Sequence, residues 1–133
     1  MTDDERYLDL LAIFHFIFGG LVALFSCIPI IHIILGIAMV AGAFAGDDAP
    51  PAVIGFVFIA IGALVILIGW AFAFAIITAG RKLKARQSRT FCVVVAALEC
   101  MSIPFGTILG IFTIIVLMKE PVVAMFEGNR QAV

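Results

Sequence analysis

Long apolar blocks, separated by short charged or proline-containing segments, make up most of this chain. The first block, Leu10–Gly46, and the second, Ala52–Ala79, contain no Asp, Glu, Lys or Arg. As straight helices they would be about 55 and about 42 Å long, against a bilayer hydrocarbon core of about 30 Å. A third block, Phe91–Met118, carries one acidic residue, Glu99. The pattern therefore predicts an all-α membrane protein.

The first block is too long for one straight span and is expected to break at Pro29. Proline removes a backbone donor and clashes with the preceding helical turn. Division there predicts spans over Leu8–Cys27 and Ile30–Gly46, joined by a tight turn, and hence a compact bundle of about four transmembrane helices. The alternative is three spans, with one kinked span of about Phe16–Phe44 and an interfacial helix over Asp3–His15.

The second block is the strongest candidate for a membrane span. The acidic, proline-containing segment Asp47–Pro51 ends the first block and places proline where a new helix opens. Within the second block Gly55, Gly62 and Gly69 recur every seven residues, so they lie near one face of the helix. Small residues on one face let another membrane helix approach closely, which predicts helix packing at these glycines.

The third block contains a second proline break, at Pro104. Each side of Pro104 is too short to cross a bilayer alone, so we expect one kinked span, with a re-entrant turn as the alternative. Gly106 and Gly110 form a G-x-x-x-G pair, a further packing face. Over residues 119–133 apolar positions continue at i, i+3 and i+4, which predicts a short interfacial tail. Those positions are Val122, Met125 and Phe126.

The two proline breaks are flanked by similar sequence. Ala23-Leu24 and Ile34–Ile37 match Ala97-Leu98 and Ile108–Ile111 at a constant offset of 74 residues. The match is either a weak internal repeat or chance similarity in an apolar chain. A true repeat would place two similar broken segments on either side of the second block, as in many transporters.

Positive charge is concentrated in the segment between the second and third blocks. This segment contains five of the eight Lys and Arg residues. Short loops rich in Lys and Arg stay cytoplasmic, so a basic cytoplasmic loop is predicted over 81–89. Asp47–Pro51 is then outside and, with four spans, so is the N-terminus. The topology-determining residues are Arg81, Lys82, Lys84, Arg86 and Arg89.

The N-terminus carries a helix-start signal. Thr2 and Glu5 have the spacing of a capping box, and acids in the first turn complement the helix dipole. A helix is therefore predicted to begin at Asp3. The acidic start is unlike the basic n-region of a secretory signal peptide.

Few ionisable groups lie inside the apolar blocks. The candidate intramembrane polar site consists of His32, Glu99, Ser102 and Thr107. We expect Glu99 to be buried and neutral, or paired with a polar group near the first break such as His32. His15 and His32 would lie on nearly opposite faces of one helix, which makes them poor partners for one metal or haem. No catalytic, cofactor-binding or metal site is predicted.

Three segments carry a resemblance to known proteins: Ile13–His15, Gly19–His32 and Pro104–Leu117, the last followed by Pro121. Together they resemble a family of small, uncharacterised bacterial multi-pass inner-membrane proteins whose last span has a P-x-G-T-x-L-G-I signature. The likeness covers nearly the whole chain. It implies a bacterial inner membrane and supplies no catalytic residue, because the signature is not specific for one activity.

Composition narrows the function further. With 65% hydrophobic and 13% charged residues and a mean hydropathy of +1.28, the chain has too little polar surface for a soluble domain and no basic face for nucleic acid. We expect one transmembrane helical domain over 1–133. Its expected function is a structural or accessory membrane subunit, homo-oligomeric or bound to other membrane subunits. The alternative is a small channel or transporter that uses the broken helices around His32, Glu99 and Thr107. No enzyme constellation is recognisable.

Overall fold

The computed structural model describes residues 2–131, and six α-helices account for most of them. Two helical stretches, Asp3–Val40 and Ala52–Ala85, are long and apolar enough to cross a membrane. The all-α prediction is therefore confirmed. The helices are α1 Asp3–Phe25, α2 Ile30–Val40, α3 Ala52–Ala85, α4 Arg89–Glu99, α5 Phe105–Leu117 and α6 Glu120–Gln131. The last two are bent by 75° and would add a third span if the pair is counted as one.

The chain divides into two compact units. The central unit is Leu21–Phe72, and the terminal unit combines Met1–Gly20 with Ala73–Val133. The long helices α1 and α3 each contribute residues to both units, whereas α2 belongs to the central unit and α4, α5 and α6 to the terminal unit.

Small residues hold the central unit together. A Cβ atom added at Gly55 would lie 2.7 Å from the Gly36 carbonyl oxygen, and one added at Gly62 would lie 3.0 Å from the Pro29 carbonyl oxygen. A Cβ at Gly69 would lie 2.6 Å from the Ser26 Cβ. The distances at Gly55 and Gly69 are too short for a real Cβ atom, and the distance at Gly62 is tighter than most. The three glycines of the seven-residue pattern therefore pack against other residues of the same chain. We call this contact the glycine seam.

Pro29 does not reverse the chain. Backbone bonds to the third preceding residue bridge the break: Cys27 donates to Leu24, Ile28 to Phe25 and Ile30 to Cys27, at 3.0–3.1 Å. The chain therefore continues in one direction along α3. The predicted tight turn at 27–29 is therefore wrong, and so is the four-span bundle that depended on it. Such 3₁₀-type bonds can accommodate a proline in an apolar helix without reversing the chain.

The alternative prediction of a surface helix over Asp3–His15 is also wrong. Helix α1 runs without interruption from Asp3 to Phe25. Its Leu8, Ala12 and His15 side chains are fully buried in the terminal unit. A Cβ added at Gly80 of α3 would lie 3.1 Å from the Ala12 carbonyl oxygen, so this helix packs closely on α3.

The core of the terminal unit takes side chains from five helices. The predicted interfacial tail contributes to it, because Val122 is fully buried and Phe126 is nearly so. Their i, i+4 spacing on α6 therefore marks a face turned to protein. The complete buried cluster is Leu8, Leu11, Ala12, Leu83, Cys92, Val116, Leu117, Val122 and Phe126.

Helices α4 and α5 fold back on each other as an antiparallel pair, which we call the α4–α5 hairpin. At its open end Arg89 Nε donates to the Leu117 carbonyl at 2.8 Å. At its closed end Thr107 Oγ1 donates to the Cys100 carbonyl at 2.7 Å. The predicted single kinked span over Phe91–Met118 is therefore wrong, and the chain turns back near Pro104.

The predicted glycine pair on α5 lies inside the hairpin. A Cβ added at Gly106 would meet the Glu99 carbonyl oxygen, and one added at Gly110 would lie 2.6 Å from the Cys100 Sγ. These two glycines let α5 approach α4 of the same chain.

The acidic N-terminus lies beside the basic segment, which contradicts the predicted placement of the two on opposite sides of the membrane. Glu5 lies 3.6 Å from Arg86, and Asp4 lies 3.0 Å from Lys119. Because oppositely charged groups attract, the N-terminal acids pair with the basic end. Helix α3 extends to Ala85, so residues 86–88 alone connect it to α4.

The predicted helix start is confirmed. Helix α1 begins at Asp3. The Thr2 backbone N–H donates to Glu5 Oε2 at 2.7 Å, and the Glu5 N–H donates to Thr2 Oγ1 at 3.3 Å. This reciprocal pair satisfies two backbone donors of the first turn, as a capping box does.

Candidate functional site

Two ionisable side chains meet in the interior of the terminal unit. His15 Nε2 lies 3.2 Å from Glu99 Oε2, and both side chains are fully buried. His15 is six residues past Asp9, the last charged residue before it, and Glu99 is ten residues past Arg89. At 1.5 Å per residue these separations are about 9 and about 15 Å along the helices. The pair therefore lies well inside the apolar part of its helices.

Helix α1 positions the His15 ring. Residues at i−7, i−4 and i+4 from His15 are Leu8, Leu11 and Gly19, all buried on the same helical face. The Nδ1 atom lies 2.8 Å from the Leu11 carbonyl oxygen. Gly80 leaves room for the side chain, because a Cβ there would lie only 3.0 Å from the His15 Cβ.

The α4–α5 hairpin positions Glu99. Glu99 is the last residue of α4, and its carbonyl accepts the Ser102 N–H at 2.8 Å as the chain turns. Gly106 of α5 packs against the same carbonyl. The carboxyl group is thus fixed at the closed end of the hairpin.

Hydrogen-bond chemistry sets the proton content of the pair. A carbonyl oxygen only accepts, so His15 Nδ1 carries a proton, and a neutral ring then has a lone pair on Nε2. A lone pair facing an ionised carboxylate would be repulsive. The contact is favourable when one further proton is present, on Nε2 or on the carboxyl. Both arrangements leave the buried pair without net charge, which avoids the large cost of an isolated buried ion.

The pair is incompletely satisfied. Among the residues that the structure describes, neither Glu99 Oε1 nor Oε2 has an aligned hydrogen-bond donor, and His15 Nε2 has no aligned partner either. The 3.2 Å contact is therefore close but is not a well-directed hydrogen bond. Buried polar atoms without partners are rare in folded proteins, so each one calls for an explanation.

The structure brings together only part of the predicted polar site. Glu99, Ser102 and Thr107 all lie at the closed end of the hairpin, where Thr107 bonds to the backbone. His32 is in the central unit, exposed, with its ring centroid 5.8 Å from that of Phe58. The expected burial of Glu99 is confirmed, but its partner is His15 rather than His32.

Sequence reasoning missed His15 because both histidines were weighed as metal ligands. The signal that could have found it is its helical face, which also carries Leu8, Ala12 and Gly19. The residues that share the helical face of His15 are buried against protein. The residues around His32 are mostly exposed.

The structure also gives the positions of possible metal ligands and of the three cysteines. Within residues 2–131 no three His, Cys, Asp or Glu side chains converge as metal ligands would. Cys27, Cys92 and Cys100 are free thiols. Cys27 Sγ donates to the Ala23 carbonyl at 3.4 Å, a packing contact within α1 and its final turn.

Comparison with known proteins adds no assignment: no protein-family model, curated protein or solved structure matches this chain.

Proposed function

We propose that this protein is a structural or accessory subunit of the bacterial inner membrane, with its basic end in the cytoplasm. The observation that carries the proposal is the large apolar surface that the two long helices leave exposed after the glycine seam is closed. Leu24, Val53 and Leu67 are each about two-thirds exposed. In water such a surface would aggregate, whereas in a bilayer it faces lipid or a neighbouring membrane protein.

The proposed topology has two crossing stretches and one hairpin that enters a single leaflet. Helix α4 has 11 residues, about 16 Å, close to half of a hydrocarbon core of about 30 Å. The most exposed large apolar side chains lie at the closed end of the hairpin: Met101 80%, Ile103 84% and Phe105 75%. These features support insertion of that end into lipid, with Arg89 and Lys119 at the headgroups.

The glycine seam changes where a partner can bind. Gly55, Gly62 and Gly69 contact their own chain, so they give no support for association with a second chain. A partner would have to use the larger exposed side chains of α3. Two sets of these side chains form stripes by helical spacing: Phe56, Leu67 and Phe74 on one side of the helix, and Val57, Ile61 and Ile68 on another.

Photo-crosslinking tests the proposal. A benzophenone amino acid would replace each residue of the two stripes in turn, in native membranes, with the buried Ile76 as the internal control. We expect protein adducts of one discrete mass from a single stripe and none from Ile76. Lipid adducts alone from both stripes, together with the mass of one chain in nanodiscs, would contradict the proposal.

A second candidate is a small channel or proton-coupled transporter. The observation that favours it is the buried and incompletely satisfied His15–Glu99 pair, since ionisable residues inside membrane segments mark ion and proton paths. Within one chain two crossing stretches are sealed along the glycine seam, so a path would need several copies. Proton flux into liposomes that Glu99→Gln abolishes without loss of folding would favour this candidate over the accessory subunit.

A further inference from the structure

A cavity of about 750 Å³ opens where α4 begins and α6 ends. Its volume is within the range of small-molecule sites, about 300–1,000 Å³. Three arginines and one acid line it: Arg86, Arg89, Arg130 and Glu127. We call it the arginine cavity. The formal charge of these four side chains is positive, so the cavity favours an anion.

The N-terminus of α4 adds donors to the same wall. Arg89, Thr90 and Phe91 are the first residues of α4, and all three line the arginine cavity. The N–H groups of a first helical turn have no partner within the helix and carry partial positive charge. The Ser88 hydroxyl, which could cap them, instead accepts from Lys82 Nζ at 3.3 Å.

Two of the three arginines already contact other groups of the protein. Arg89 Nε donates to the Leu117 carbonyl, which fixes that side chain at the wall of the cavity. Arg86 Nη2 lies 3.6 Å from Glu5, while its Nε is buried and has no partner among the residues described. Planar guanidinium groups match the oxygen atoms of a phosphate group and bind it with paired hydrogen bonds.

The arginine cavity lies at the open end of the α4–α5 hairpin, away from the apolar closed end. If the closed end enters lipid, Arg89 lies at headgroup level. Basic pockets between membrane helices on the cytoplasmic side are where anionic lipid headgroups bind. This placement rests on the proposed topology, whereas the charge and shape of the cavity do not.

We propose that the arginine cavity is a binding site for a phosphate group, supplied by the headgroup of an anionic phospholipid or by soluble phosphate. Arg130 and the first turn of α4 contact the phosphate oxygens, and the Arg86 guanidinium in the cavity wall adds positive charge. Because the three bases come from the segment before α4, from α4 and from α6, a bound phosphate holds these elements together.

Thermal unfolding in nanodiscs tests the proposal. The protein would be compared in phosphatidylcholine discs and in discs in which part of the lipid is phosphatidylglycerol. A ligand that binds the folded state raises the unfolding midpoint. We expect a higher midpoint with phosphatidylglycerol, and Arg130→Gln should lose more than half of that rise. Lys84→Gln is the matched control, since Lys84 is exposed on α3 outside the cavity and carries the same charge.

A second arm identifies the source of the phosphate. Inorganic phosphate would be added to phosphatidylcholine discs against chloride of the same ionic strength. If phosphate raises the unfolding midpoint, and Arg130→Gln removes this rise while Lys84→Gln keeps it, the site is supported and is assigned to soluble phosphate. If only phosphatidylglycerol gives this pattern, the site is assigned to the lipid headgroup. No rise in either arm, or equal losses in the two variants, would overturn the proposal and leave only general attraction between a basic surface and anions.

The two arms also separate this inference from the proposed topology. Should the hairpin lie outside the membrane, phosphatidylglycerol would have no effect, but soluble phosphate would still stabilise the parent protein more than Arg130→Gln. The photo-crosslinking result is independent of both arms, because neither stripe lines the cavity.

Discussion

The two proline breaks of this chain have similar flanking sequence and opposite outcomes. At Pro29 the backbone is bridged by short-range bonds, and the helix continues beyond the break. At Pro104 the chain turns back, and α5 packs along α4. The similarity between the two flanking sequences therefore corresponds to no repeat of structure.

The difference lies in where the nearby glycines face. After Pro29 the next glycine is Gly36, which contacts Gly55 of α3. After Pro104 the next glycines are Gly106 and Gly110, which contact the preceding helix, α4. A proline break permits either outcome, and in both cases the nearby glycines mark the helix that becomes the packing partner. At the offset of 74 residues Gly110 corresponds to Gly36, whereas Pro104 is displaced by one residue and Gly106 has His32 as its counterpart. A sequence echo that preserves one glycine can thus accompany a different fold.

The His15–Glu99 pair also stabilises the region of the Pro104 reversal, and the break at Pro29 has no such pair among the described residues. We expect Glu99→Leu to lower the free energy of unfolding by about 3–5 kcal/mol, because removing one member leaves the other buried and unpaired. Chemical denaturation in detergent would measure it. His15→Leu should cost a similar amount.

The double variant sharpens this prediction. With both His15 and Glu99 replaced by leucine, no buried ionisable group remains, and we expect most of the lost stability to return. Glu99→Gln keeps size and hydrogen bonding and should cost about 1 kcal/mol. Additive losses in the double variant would show that the two residues do not act as a pair.

Glycine substitutions test each break separately. Gly110→Leu should destabilise the α4–α5 hairpin, and Gly62→Leu the glycine seam, each by about 1–3 kcal/mol, because the added side chain has no space. Gly20→Leu is the control, since a Cβ at Gly20 would meet nothing within 4 Å. Thermal unfolding of the three variants measures the effect. Equal stability of Gly62→Leu and Gly20→Leu would show that the glycine seam does not stabilise the protein.

The smallest expected effect concerns the pairing of the acidic N-terminus with the basic end. The Thr2 N–H hydrogen bond, with the nearby Arg86 guanidinium as a smaller contribution, lowers the pKa of Glu5. A lowered carboxyl pKa stabilises the fold at neutral pH, and this contribution is lost as the pH falls through the folded-state value. Between neutral and acidic pH, the unfolding midpoint of the parent should fall slightly more than that of Glu5→Gln. Identical falls would show that Glu5 contributes nothing.

Local signals in the sequence were more informative than length. The capping box at Thr2 and Glu5 and the start of α3 at Ala52 follow from nearby residues, and both are found. The expectation of a tight turn at Pro29 depended on the length of the first block, which exceeds the thickness of a bilayer. A helix that extends beyond the hydrocarbon core on its charged side satisfies the same length without a turn.

The candidate site was less predictable than the helices. Burial of Glu99 follows from its apolar neighbours, but its partner depends on how α1 lies against the α4–α5 hairpin. Two histidines were available, and spacing along the chain does not distinguish them. The choice of His15 depends on packing between helices far apart in sequence, through Gly19 and Gly80.

The central claim, continuation at Pro29 and reversal at Pro104, is tested most directly by the side of the membrane on which four positions lie. Single cysteines at Asp3, Asp48, Gln87 and Gln131 would be introduced after replacing Cys27, Cys92 and Cys100, and labelled in intact cells with an impermeant thiol reagent. We predict labelling at Asp48 alone. Labelling at Asp3 or Gln131 from outside, with Gln87 protected, would contradict it, because the chain would then turn at Pro29 or cross the membrane at Pro104.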